Sequence, residues 1–88
     1  VLIETDESGE RYVVSIRAAD RTGLLYAIAE TFARHGAALH TARISTLGER
    51  AEDTFLISGR SLSQSRDRLL LENDLLQQLS ITPSTAQV

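Results

Sequence analysis

Cysteine is absent from the 88-residue sequence, so neither a disulfide framework nor a thiolate metal site is available to it. The two histidines, His35 and His40, have no metal-ligand spacing, which argues against zinc. Basic residues are outnumbered, nine Lys and Arg against twelve Asp and Glu, for a net charge of −3. A nucleic-acid surface normally needs the opposite balance, clustered as a basic patch. Aromatic residues make up only 5%, whereas an RNA-recognition sheet needs exposed aromatics on its central strands, and Phe55 reads as core. No apolar run approaches the ~20 residues of a membrane-spanning helix. No signal peptide is visible, which points to the cytoplasm. The chain opens on Val1, directly in a strand-like run, and reads as a piece of a longer protein.

The 42% of hydrophobic residues is enough for one core. A domain of this size buries roughly 60–65% of its unfolded surface, so its stability is modest and oligomerisation helps it. Val1–Thr5 is apolar and β-prone, the run from Asp6 to Glu10 is a turn signal, and Arg11–Ala18 alternates as a second strand of a hairpin. Val14, Ile16 and Ala18 share one face of that strand, and Val13, Ser15 and Arg17 share the other. A helix is predicted from about Thr22 to His35, with Leu24, Leu25, Ile28, Ala29 and Phe32 as its buried stripe and Gly36 as the C′ residue at positive φ. Ala37–Leu47 reads as a strand whose period slips between Leu39 and Ala42, predicting a β-bulge near His40-Thr41. Gly48-Glu49-Arg50 makes a hairpin turn. Glu52–Ser58 returns with Phe55 and Ile57 inward and Leu56 on the opposite face, where it hints at a partner. A second helix is predicted from about Gln64 to Leu79, with Leu71, Leu75 and Leu79 in line and Leu69 and Leu76 flanking. The last residues, 81–88, carry Pro83 and no helical stripe, and read as a flexible tail after a single domain over 1–80. Two apolar helix stripes need a common surface. The order β-β-α-β-β-α therefore predicts an α+β two-layer sandwich, with both helices on one face of a four-stranded antiparallel sheet.

The densest chemical signal is Asp20-Arg21-Thr22-Gly23-Leu24-Leu25 at the strand-to-helix junction. Asp20 can cap the helix by accepting the N–H of Gly23. Gly23 lacks a Cβ, so a ligand or another chain can approach its backbone closely. The N–H groups of Gly23, Leu24 and Leu25 at the helix start offer a site for a carboxylate or another anion. The same residues also suit an ordinary capped helix that binds nothing. Asp20 and Asp53 read as cap and turn residues rather than an acid–base pair, and His35 reads as a cation at a helix C-terminus. His40 is either a bulge residue or a groove-lining donor.

The stretch Asp20 to Ala29 resembles the ligand loop of ACT domains, small regulatory modules that often sense amino acids. Together with the segments His40 to Thr46 and Gly48 to Phe55, it looks like the C-terminal ACT domain of the bacterial PII uridylyltransferase/uridylyl-removing enzymes. The resemblance implies a ferredoxin-like fold and a ligand site over Asp20, Arg21, Gly23, Leu24, Leu25, Ala38 and His40. Glutamine is the implied effector, and a homodimer or pairing with another ACT domain is implied with it. The longer enzyme would transfer uridylyl groups from UTP, with Mg²⁺, to the PII signal protein and remove them again. The chain itself carries neither the carboxylate cluster nor the His/Asp metal cluster such reactions need, and is read as non-catalytic, with no cofactor of its own. The chain departs from the family at three points. Thr22 stands where Pro is usual. Ala38 stands where amino-acid-binding members often have a polar side chain. No strand follows the second helix, so Val1–Thr5 is expected to occupy the missing edge position beside Arg11–Ala18. The competing reading is an ACT domain that docks without sensing, attached to another metabolic or signalling enzyme.

Overall fold

The computed structural model describes residues 1–19 and 23–80. The expectations for Asp20, Arg21 and Thr22 and for the tail over 81–88 lie outside the described residues. The chain forms β1 (Leu2–Thr5), β2 (Arg11–Ala19), α1 (Leu24–Arg34), β3 (Ala38–Leu47), β4 (Arg50–Ser58), a single 3₁₀ turn (Arg60–Leu62) and α2 (Ser65–Ser80). The expected order and the α+β, ferredoxin-like arrangement are both present.

The four strands form one antiparallel sheet in the order β1-β2-β4-β3. Thus β1 fills the edge beside β2, as its hairpin requires. That hairpin closes through Asp6, whose N–H donates to the Arg11 carbonyl at 2.9 Å. The Asp6 carboxylate in turn accepts the Ser8 N–H at 3.0 Å and the Ser8 hydroxyl at 2.6 Å. The bulge predicted near His40 is found between Leu39 and Thr41.

On β2 and β4, alternate residues enter the core. Tyr12, Val14 and Ile16 face Ile57, Phe55 and Asp53 in register, and Ala18 pairs with Ala51. Both helices cover this face. Leu24, Ile28 and Phe32 of α1 and Leu71 and Leu75 of α2 are buried in the same cluster, each contributing on the order of 1.5–3 kcal/mol on burial. The Phe32 and Phe55 rings meet edge to face at 5.3 Å.

Several side-chain assignments differ from the sequence expectation. Leu25 is 46% exposed and Ala29 is exposed, while Thr31 is fully buried. The inner face of α1 is rotated toward α2, and Thr31 tolerates burial because its hydroxyl donates to the Ala27 carbonyl at 2.7 Å. Leu69 and Leu76 lie on the solvent side of α2. Asp53, read as a turn residue, is buried on the helix-facing side of β4, because β4 begins at Arg50 and the alternation reaches back to Ala51.

Candidate functional site

Gly23 is the N-cap of α1, with φ 82° and ψ 1°. This left-handed conformation is open to glycine and costs other residues roughly 1–2 kcal/mol. The first intrahelical bond runs from the Ala27 N–H to the Gly23 carbonyl at 2.9 Å. The N–H groups at the start of the helix therefore have no acceptor within it. Among the described residues beyond its own neighbours in the chain, no heavy atom lies within 4 Å of where a Gly23 Cβ would be. Leu24 sends its side chain into the core and Leu25 sends its side chain outward, which leaves both to act through their N–H groups. Tyr26, on the same turn, is 72% exposed. A hydrogen bond with Glu30, reinforced by the Glu30 charge, pushes its phenol pKa up, so it remains a neutral hydroxyl at physiological pH.

Ala38 and His40 are the other expected site residues, and within one chain they are far from Gly23. Ala38 pairs with Ser58 and thus shares a sheet end with Arg11, whereas β2 delivers Gly23 at the end where Ala19 pairs with Arg50. At ~3.3 Å per strand residue, the two halves are on the order of 25 Å apart. Ala38 is exposed, and His40, carried by the bulge, places Nε2 2.6 Å from the Ser58 hydroxyl.

β3 forms an edge of the sheet and is exposed along nearly all its length. Leu39 and Ile44, on its helix-facing side, are 49% and 45% exposed because neither helix extends over this strand. Leu25 and Ala29 of α1 are exposed as well. The sequence placed Leu25 and Ala29 in the buried stripe of α1, and only the position of the helices over the sheet distinguishes them from core.

Sequence reasoning also missed a tie between the helices. His35, at the C-cap of α1, puts Nε2 2.9 Å from Asp74 Oδ2 on α2, and Arg34 reaches the same oxygen at 3.3 Å. The His35 hydrogen bond is the main cause that holds the Asp74 carboxyl below its ordinary value, opposed by partial burial and helped by the Arg34 charge. His35 was legible as a residue of the last turn of α1, but its partner 39 residues away was not.

No protein-family profile matches the chain. It is 57% identical over 81 residues to the bifunctional uridylyltransferase/uridylyl-removing enzyme of Aromatoleum aromaticum, a match covering 92% of this chain. It is 55% identical over 80 residues to that of Ralstonia nicotianae, and 53% identical over 83 residues to that of Nitrosospira multiformis. The chain spans only 9% of the length of each of these relatives. Among solved structures, an unknown protein from Galdieria sulphuraria superposes with a TM-score of 0.64 over 75% of this chain and 39% of its own, at 23% identity, a likeness of fold alone. No described helix is long and apolar enough to cross a membrane. Over nearly its whole length, then, the chain is homologous to one short stretch of the bifunctional uridylyltransferase/uridylyl-removing enzymes.

Proposed function

We propose that the chain is an amino-acid-sensing ACT regulatory domain, with glutamine as its effector, within a cytoplasmic enzyme that uridylylates the PII signal protein and reverses that modification. The observation that carries this reading is the Gly23 helix start, left-handed at the N-cap, where the first N–H groups have no acceptor within the helix. Such a start accepts a carboxylate. The effector's carboxylate would be held by the Gly23 and Leu24 N–H groups, and the Asp20 carboxylate is the group whose charge suits its amine.

The separation of the two half-sites supports a ligand shared between copies. If two exposed β3 edges pair antiparallel, the Ala38–His40 end of one lies beside the Leu47 end of the other, the end that carries Gly23. A small amino acid would then bridge two copies and favour the paired arrangement, which a linked catalytic unit could sense.

The second reading is a docking domain without a ligand. Ala38 favours it, since an exposed methyl group at the second half-site gives an amino acid no hydrogen bond. Calorimetric titration of the 88-residue chain with glutamine separates the two. Saturable heat with a stoichiometry tied to the dimer supports the sensor, and no heat at millimolar glutamine, with a dimer present, supports docking alone.

A further inference from the structure

At the end of the sheet opposite Gly23 lies an open cleft of about 590 Å³, bounded by the β1–β2 turn, the β3 bulge, the end of β4 and the 3₁₀ turn. We propose that this cleft is a second binding site, for the phosphate group of a small metabolite, held by Arg11 and Arg60.

The fold brings these two arginines together from distant parts of the chain. Arg11 opens β2 and pairs in register with Ser58, the last residue of β4. Gly59 then leads directly into Arg60 at the start of the 3₁₀ turn. Both arginines line the cleft. Among the described residues neither forms an ion pair, whereas Arg17 and Arg34 are paired with Glu52 and Asp74. Arg68, behind the cleft wall, is already engaged by the Leu62 carbonyl at 2.8 Å and by the Tyr12 ring. Two uncommitted guanidiniums sharing one concavity are unexpected in a chain of net charge −3, where they would be offset most cheaply by neighbouring carboxylates.

The other polar groups of the cleft are also mainly donors. The bulge turns His40 onto the Ser58 hydroxyl at 2.6 Å, and Ser63 also lines the cleft. Bulges commonly re-aim a side chain in this way. Glu10 is the one acid lining the cleft, so the formal balance is two positive charges against one. Two planar guanidinium forks and two hydroxyls present more donors than the two oxygens of a carboxylate can accept, and they suit the three oxygens and double charge of a phosphate. The volume lies within the range of small-molecule sites and exceeds what a bare phosphate fills, leaving room for the remainder of a metabolite. This site shares His40 with the Ala38–His40 half-site and no residue with the Gly23 half-site, and it does not depend on glutamine binding.

The test is an amide NMR titration of the 88-residue chain with inorganic phosphate at fixed pH, with chloride adjusted to keep ionic strength constant and glutamate run as a carboxylate arm. The expected result is saturable shifts confined to Arg11, His40, Gly59, Arg60 and Ser63 with phosphate, and at least about tenfold weaker response to glutamate. The double variant Arg11→Gln/Arg60→Gln, both exposed positions, should keep the dispersed spectrum of the folded domain and lose the phosphate response. Absence of saturable shifts, shifts that persist in the double variant, or glutamate binding as tightly as phosphate would each overturn the assignment.

Discussion

A Cβ built on Gly59 would lie 2.8 Å from the carbonyl oxygen of Gly36. The segment leaving β4 thus crosses the end of α1 at backbone contact distance, and Ser61 fastens the crossing by donating its hydroxyl to the His35 carbonyl at 2.6 Å. Gly59→Ala must push two backbones apart, at a cost of about 1–3 kcal/mol. Thermal melting should show a drop of several degrees, at roughly 4–8 °C per kcal/mol for a domain this small. A variant that melts with the parent would show that the crossing yields freely.

Phe32 is 2% exposed and meets Phe55 edge to face across the helix–sheet interface. Phe32→Ala should cost roughly 3–5 kcal/mol, a large share of the ~5–15 kcal/mol that holds a domain folded. Urea titration followed by circular dichroism measures this. A midpoint near that of the parent would mean that α1 packs by a different face.

Asp74 links the two helices, and its depressed carboxyl fixes the sign of a pH effect. A group with a lowered folded-state pKa stabilises the fold above its ordinary value, 3.8 for this carboxyl, and that stabilisation is lost as pH falls through the lower folded value. Asp74→Asn should therefore destabilise by about 1 kcal/mol at pH 7. The gap between variant and parent should narrow below pH 4 and close further into acid. A gap that stays constant from pH 7 to pH 2 would assign the effect to packing rather than charge.

Gly23→Val tests the proposed sensor. The backbone there is left-handed, so the substitution is strained, but open space around the position leaves the side chain without a clash. The domain should remain folded with somewhat lower stability, and any glutamine response should vanish. Retained glutamine affinity in a folded variant would remove the Gly23 loop from the site.

Association should depend on the β3 edge. Ile44, 45% exposed beside Leu39, is the position where a charge opposes pairing most directly. Light scattering should find the parent in a concentration-dependent dimer and Ile44→Lys shifted to monomer. A parent that stays monomeric at millimolar concentration would rule out the bridged-ligand arrangement.

Strand and helix identities were legible because local periodicity encodes them. Val14 and Ile16 alternate, Leu71 and Leu75 recur every fourth residue, and the slip between Leu39 and Ala42 marked the bulge that is found there. The edge position of β1 was legible for a different reason, since a short hairpin can only be antiparallel. Burial within an amphipathic stripe was not so readable. Leu24 and Leu25 are chemically identical neighbours, yet one is 3% exposed and the other 46%, a difference set by where α2 lies.

What the sequence determined by itself is therefore local or pairwise-adjacent: the order of elements, the face each strand turns inward, the glycine at the start of α1 and the family to which these motifs point. The tertiary structure decided what depends on distance through space. It set Gly23 and Ala38 at opposite ends of the sheet, left β3 uncovered, joined His35 to Asp74, and gathered Arg11 and Arg60 into one cleft. A periodic pattern carries the direction of each side chain relative to its own element, but contacts between residues tens of positions apart follow from register and helix placement, which the whole core settles together.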